Sequence, residues 1–522
     1  MQLNKVALAD IHSFSPFFLD YIDQKKTLEP YFNRYPNPEN FKQQLAEKSA
    51  SFSVDHRRVL NTVLQAQYEG LVTSKAVSEN IALLKNENTF TVTTGHQLNI
   101  FTGPLYFIFK IVTVINSCKK LKAQYPQHNF VPVYWMASED HDYDEIKYFT
   151  LYGKKYVWNT NQTGAVGRFN TTGLDAIASD LPGDVKIFKE AYSNNGTLSH
   201  AVRHYVNDLF GSEGLIVLDA DVRPLKALFK DVIKKDILQN SVKPIVEDTN
   251  DALKNLDYKT QIFCRDINFF YLDQAVRGRI EKLDDRFKVL DTDLSFSASE
   301  IERRIEEEPE KFSPNVILRP LFQEVILPNL AYVGGPAEVI YWLQLKKVFN
   351  HFGTPFPIVM PRNFGMIVNH EIDRKFSKTG LELKDFFEEK NYIFNHWILN
   401  HSSRNLTVGA ERTEVAKIFN QLQERAISID RSLGPFVSAE GQRALNSLEK
   451  IERKLIRAEK RLQTDKFRQI EDVKDALFPG GSLQERTDNF LNFYQQDSHF
   501  IQKLLDTFDP FDFQFNILRY NA

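Results

Sequence analysis

The sequence predicts an α/β protein: a doubly wound parallel-sheet core with connective insertions, followed by a C-terminal α-helical coiled-coil domain. Three observations carry this. From about residue 89, short apolar runs that end abruptly in glycine or carboxylate clusters alternate with helical stretches. The runs are apolar on both faces, as a parallel sheet covered by helices requires. The final third instead repeats its apolar residues every three or four positions between dense charges.

The elements follow in order. TFTVTTG, residues 89–95, reads as a buried strand closed by Gly95. A polar loop leads to Pro104, which opens an apolar helix through about Leu121; a first-turn proline loses no needed donor. FVPVYWMA is a second strand and ends in SEDHDYDE. GLIVLDADVRP (214–224) and FPIVMPRNFG (356–365) repeat the form. Residues near 145–175 and 260–315 look antiparallel and read as insertions. Val415, Phe419, Leu422, Ala426, Ile429 and Leu433 form one apolar seam, and Ala444, Leu448, Ile451, Leu455, Ala458 and Leu462 a second. Together they predict a hairpin reversing at Gly434-Pro435. The expected domains are residues 1–375 for the core, 376–510 for the coiled coil, and a tail, 511–522, packing back on the core.

Composition narrows the function. Of 522 residues, 65 are Lys or Arg and 68 Asp or Glu, a net charge of -3 that argues against a nucleic-acid partner. Hydrophobic content of 42% excludes wholesale disorder. The apolar stretch Leu105 to Ile115 is interrupted by Lys110 and falls short of the roughly 18 residues a membrane span needs. The opening MQLNKVALADIHSF has no secretory pattern, so the expected compartment is the cytoplasm. Two cysteines exclude a disulfide framework or a multi-cysteine zinc site.

Ligands of open α/β sheets sit at the carboxyl ends of the strands, which gives weight to polar residues there. Thr94, Gly95, His96 and Gln97 close the first strand, and Gly103 precedes the helix, whose start suits an anion. Glu139, Asp140, His141 and Asp142 are the densest ionisable cluster, suited to an ammonium group, a sugar hydroxyl or a divalent metal. Gly334, Gly335 and Glu338, in YVGGPAE, allow close backbone approach and place a carboxylate in a helix's first turn. Each cluster also has a bland reading: a turn glycine, a solvated acidic loop, a helix cap. Arg362 is the best-placed cation for phosphate or carboxylate. No G-x-S-x-G, H-E-x-x-H, C-x-x-C or Walker A pattern occurs.

TTGHQLNIFTGPLYFIFK, VPVYWMASEDHDYDEI, YVGGPAEVIYW, PRNFGMIV and LFPGGSLQER together resemble the cysteine ligase family of bacillithiol biosynthesis (BshC), over about residues 89–486. The resemblance implies a Rossmann-like core related to class I aminoacyl-tRNA synthetases and nucleotidyltransferases. It also implies a homodimer through the coiled coil. The implied reaction joins cysteine to glucosaminyl-malate through an amide, with ATP or ADP bound and a divalent cation as a further candidate. Asp140, His141 and Asp142 become the candidate catalytic residues. Thr94, Gly95, Gln97, Gly103, Glu139, Gly334, Gly335, Glu338 and Arg362 become candidate substrate contacts. Leu477, Pro479, Gly480 and Arg486 become a candidate nucleotide surface. The synthetases' His-x-Gly-His and lysine-rich signatures are absent, which removes cations those enzymes use on transferring phosphates. The alternative expectation is a non-catalytic dimeric nucleotide-binding scaffold or chaperone of the same thiol pathway. A tRNA-aminoacylating role has little in the charge balance to support it.

Overall fold

The computed structural model describes residues 2–520. Five parallel strands form the central sheet: β1 (Thr89–His96), β2 (Asn129–Met136), β3 (Ile216–Asp219), β4 (Asn329–Gly334) and β5 (Ile358–Pro361). Their spatial order is β5-β4-β1-β2-β3, the doubly wound arrangement, with its switch point between β1 and β4. The register aligns the carboxyl ends: His96 pairs with Met136, Met136 with Asp219, and Gly334 with Pro361. The polar residues that close each run therefore share one edge of the sheet.

The strands form because Thr, Val and aromatic residues fit a pleat covered on both faces. Every residue of β1 is buried. Phe90, Val92, Phe130, Leu330, Val333, Ile358 and Met360 pack with Val114, Cys118 and Leu121 of helix α1 (Tyr106–Gln124). Each such side chain contributes on the order of 1.5–3 kcal/mol by burial. Cys118 belongs to this core, and burial pushes its thiol up. Helices α2 (Arg319–Ile326) and α3 (Pro336–Leu343) flank β4 in sequence.

The insertions are antiparallel. Tyr148–Leu151 pairs with Lys154–Val157. A separate five-stranded sheet contains Arg277–Leu283 beside Phe269–Leu272, and Phe269–Leu272 beside Phe312–Pro314. Its helix, Ala298–Glu307, starts at a capping box of Ser297 and Glu300.

The domain limits differ from those expected. The core unit comprises residues 3–366 together with 482–518, so it closes nine residues before 375 and takes in residues 482–510. Buried hydrogen bonds explain the second change. Asn489 Nδ2 donates to the carbonyls of Phe101 and Gly103, both at 2.7 Å, and Asn516 Nδ2 donates to Phe364 O at 3.0 Å.

The second unit, residues 367–481, carries α4 (Gly409–Ile429), α5 (Leu433–Leu462) and α6 (Thr464–Leu477). The hairpin reverses at residues 430–432, where Ser432 N donates to Asp430 Oδ1, rather than at Gly434-Pro435. Those two residues occupy the first turn of α5, where proline costs no hydrogen bond. The inner face of α5 also departs from the expected seam. Ile451, Leu455 and Leu462 are exposed, while Glu452, Ile456 and Glu459 are more buried. Partners draw the two glutamates inward: Val408 N donates to Glu452 at 2.9 Å, and Arg404 pairs with Glu459 at 2.8 Å.

Candidate functional site

A cleft of about 760 Å³ opens at the carboxyl ends of the central strands, beside the switch point. Of the residues singled out from sequence, Gly95, Gln97, Glu139, Asp140, Gly335, Glu338, Arg362 and Arg486 line it. His96, noted at the same strand end, does so too. These residues come from five sequence regions, and the aligned strand ends bring them together.

Glu338 anchors one wall. Burial alone would raise its carboxyl, but Lys110 at 2.5 Å, the Tyr332 hydroxyl at 2.6 Å and Gly335 N at 2.8 Å hold it below the usual carboxylate range. The bond from Gly335 is a helix cap on α3, the bland reading of this position. Its charge is committed to Lys110, which also donates to Gly95 O at 2.8 Å. Burial lowers the Lys110 ammonium, partly offset by Glu338. A side chain at Gly95 would crowd the Tyr332 hydroxyl, its Cβ lying 3.3 Å away.

The opposite wall is acidic and equally paired. Asp140 receives Gln97 Nε2 at 2.6 Å, His141 N at 2.8 Å and Arg277 Nη1 at 3.1 Å. Burial would raise this carboxyl; the Arg277 charge, Gln97 and the backbone N–H of His141 hold it well below the usual range. Glu139 pairs with the buried Lys226 at 2.6 Å. Glu145, on the same wall, is raised by burial and by the neighbouring Asp142 and Asp140 charges.

Arg362 gives its fork to Glu485, with Nη2 at 2.6 Å and Nη1 at 2.9 Å from the two carboxylate oxygens. Both side chains are buried, at 2% and 0% exposure, so the pair is fully desolvated. The guanidinium expected to greet an anion is thus already bidentate, and only Nε remains uncommitted.

Other expected residues lie elsewhere. Thr94 is buried and donates to Val333 O at 2.8 Å, tying β1 to β4. Gly103 lies outside the lining; its φ of +63° and a Cβ position 2.5 Å from Asn99 Cβ explain the glycine as a turn requirement. Gly334 is enclosed, its Cβ position 2.9 Å from that of Glu338. His141 is half exposed on the rim, and Asp142 is exposed there. Arg277 Nη1 must donate to His141 Nδ1 at 2.7 Å, which leaves the ring proton on Nε2. In that tautomer His141 offers a donor rather than a free base. Leu477, Pro479 and Gly480 belong to the second unit, where Leu477 is fully buried, whereas Arg486 belongs to the core.

Sequence reasoning missed Lys110, Arg277 and Arg319 as cleft residues. With Arg362 and Arg486 they make five cations along the lining. Lys110 had a signal, a lone charge inside an apolar helical run. Arg277 and Arg319 had none, because an insertion strand and a helix start do not by themselves point at a strand end. Among the described residues, no three His, Cys, Asp or Glu side chains group as a metal site.

The family model for "Bacillithiol biosynthesis BshC, N-terminal Rossmann-like domain" matches residues 1–363, and that for the C-terminal coiled-coil domain matches 365–520. Proteins named "Putative cysteine ligase BshC" are similar along their length. One from Flavobacterium psychrophilum is 39% identical over 520 residues, covering 97% of each chain. One from Cytophaga hutchinsonii is 38% identical over 518 residues, covering 99% of each. One from Bacillus licheniformis is 30% identical over 553 residues, covering 98% of each. With a doubly wound core, a helical hairpin and matches across nearly its whole length, this chain belongs to the BshC family of bacillithiol biosynthesis.

Proposed function

We propose that the chain is an amide-forming ligase that joins cysteine to the amine of glucosaminyl-malate with ATP as energy source. The observation that carries this is the two-signed lining of the switch-point cleft. Five cations face a space that Glu139, Asp140, Glu145 and Glu338 also line. Substrates bearing both an amine and carboxylates suit such a surface, and phosphate charge from a nucleotide suits its cationic wall. In this reading the cysteine carboxyl is activated by ATP, the sugar amine forms the new C–N bond, and the activating group leaves with its electron pair. Lys110, Arg277, Arg319 and Arg486 offset the negative charge. Asp140, Glu139 and the rim carboxylate Asp142 orient the amine, and His141 donates to the substrate from Nε2. A divalent cation would be held chiefly by the nucleotide phosphates.

The test is purified chain with cysteine, glucosaminyl-malate and ATP, followed by mass spectrometry of thiol and nucleotide products. Formation of the amide with stoichiometric nucleotide cleavage supports the reading. Nucleotide binding without product overturns it in favour of a non-catalytic scaffold, which the extensive internal pairing of Asp140, Glu338 and Arg362 would also suit.

We further propose that the helical hairpin pairs with a second copy. Leu422 and Ile429 on α4, and Ile451, Leu455 and Leu462 on α5, are 39–77% exposed in the single chain. They recur at heptad-compatible spacing, and burying them against a partner would remove their apolar surface from water.

A further inference from the structure

The helix Phe41–Ser51, which precedes the first strand of the central sheet, buries a lysine. Lys48 Nζ meets Glu324 Oε2 at 3.0 Å, and each residue is only 1% exposed. Such a pair is a poor source of stability, because apolar residues of the same size often pack as well in its place. What an apolar pair could not supply is its directional hydrogen bonds.

Those bonds run from the pair to the cleft. Glu324 Oε1 receives Asn329 Nδ2 at 2.6 Å and Gln323 Nε2 at 3.0 Å. Gln323 Oε1 in turn receives Arg319 Nη1 at 3.2 Å. All three α2 residues of this chain share one helix: Arg319, its first residue, lines the cleft, while Gln323 and Glu324 lie one turn further along and are buried.

The chain can run in only one direction. A carboxylate accepts and never donates, so Glu324 takes the NH2 end of Gln323 and leaves the amide oxygen for Arg319. Turned over, the amide would set donor against donor at the guanidinium. Asn329 is fixed in the same way. The Thr91 and Thr93 hydroxyls donate to its Oδ1 at 3.1 and 2.8 Å, so its NH2 end faces Glu324. Burial raises the Glu324 carboxyl, and Lys48, Asn329 and Gln323 oppose that rise. The buried ammonium thus favours the form of Glu324 that cannot donate.

Arg319 needs such a guide. Its guanidinium carbon lies over the rings of Trp135, Tyr332 and Trp342, at 5.8, 5.5 and 6.0 Å from their centroids. Ring faces attract a cation without fixing where its N–H groups point. Tyr341 and Glu338, also on the lining, are further polar neighbours. A hydroxyl such as that of Tyr341 can rotate, whereas the Gln323 oxygen is locked from behind.

We propose that Glu324 is a positioning residue of the cleft: kept as a carboxylate by Lys48, it locks the Gln323 amide and so aims Arg319 at the substrates. The consequence for catalysis rests on the ligase reading; the consequence for the orientation of Arg319 does not.

The experiment compares two charge-free replacements of the pair in the full chain, since a single change would leave a buried charge unpaired. Lys48→Met/Glu324→Gln keeps one oxygen, which Asn329 draws into the place of Oε1. Lys48→Met/Glu324→Met keeps none. For each, a crystal structure locates Arg319, and amide formation from cysteine, glucosaminyl-malate and ATP is measured per folded chain below its melting temperature. In the variant without the oxygen, Arg319 is expected to leave hydrogen-bonding distance of Gln323, and turnover to fall about tenfold or more. The variant that keeps the oxygen is expected to rescue both, with Arg319 in place and turnover within about threefold of the unmutated chain, because one acceptor oxygen replaces another. Adding Gln323→Met to the variant without the oxygen lowers turnover no further, since it cuts the same chain.

Arg319 unmoved in Lys48→Met/Glu324→Met, equal losses in the two double variants, or full turnover with Arg319 displaced overturns the proposal. Should Lys48→Met/Glu324→Met fail to fold, Gln323→Met in the otherwise unmutated chain decides: Arg319 must turn away, and an unmoved Arg319 overturns the positioning role. A chain that forms no amide fails the ligase reading alone, because the crystal structures still report on Arg319. One that forms the amide while Arg319 never moves fails the positioning role alone.

Discussion

Helices α1 and α5 are both written in apolar residues at helical spacing, yet they end in opposite environments. Every residue of α1 from Phe107 to Cys118 is buried, including Lys110. In α5 the buried residues are Gly434, Gly441 and Glu459, while Leu433, Leu455 and Leu462 are exposed. The difference teaches what a periodic pattern means. In α1 the pattern is satisfied within the chain, so the lone charge inside it must be paired, and that pairing makes it part of the cleft. In α5 the pattern exceeds what one hairpin partner can cover, and its charges remain solvated.

The largest expected effect tests whether buried charge in the core is held by specific partners. Glu485→Ala leaves the desolvated Arg362 unpaired and should cost about 3–5 kcal/mol in chemical denaturation. A loss below about 1 kcal/mol would show that the core tolerates free charge and would dissolve the contrast with the arm.

Next comes Lys110→Met, which keeps the length of the side chain but removes the charge that faces Glu338. Ligase turnover should fall about 100-fold or more, as when a preorganised charge-stabilising group is lost. His141→Ala on the exposed rim should change turnover by only about threefold, since Arg277 already occupies its Nδ1. If the two losses were reversed in size, the acidic rim rather than the switch-point wall would be the chemical centre.

In the arm, Leu455→Glu should raise the dissociation constant of a pair of chains about tenfold or more by light scattering, while the melting of the core stays unchanged. A monomeric parent chain would remove the partner that the exposed stripe calls for.

The smallest effect returns to the core. Burial raises the Asp488 carboxyl to about 6. A raised carboxylate favours folding while protonated, and that stability is lost as pH rises from about 4 through 6. Asp488→Asn should therefore stabilise the chain at pH 8 by about 1 kcal/mol relative to its effect at pH 5, read from melts at both values. The opposite sign would mean that the hydrogen bond from Asn492 outweighs the burial of the ionised form.

Much of the architecture is legible in the sequence. The apolar runs at 89–95 and 130–137 are strands, and the carboxylates and glycines that close them do gather at one sheet edge. The hairpin was legible too, but its turn was not. Gly434-Pro435 looks like a break, and it is tolerated in the first turn of α5 because that turn needs no proline N–H. The site was half legible. Glu338 and Asp140 stand where expected, whereas Thr94 and Gly103 are polar or flexible for reasons of strand pairing and turn geometry.

The sequence by itself determined four of the five central strands, the polar edge at which they end and the family resemblance, because burial period and turn chemistry are local properties. Only the tertiary structure decided which charges are free. Arg362 reads as an open cation until Glu485, 123 positions away, takes its fork, and Glu338 reads as an amine binder until Lys110 faces it. The physical reason is that a charge is priced by its whole desolvated neighbourhood, and in this cleft that neighbourhood is assembled from segments far apart along the chain.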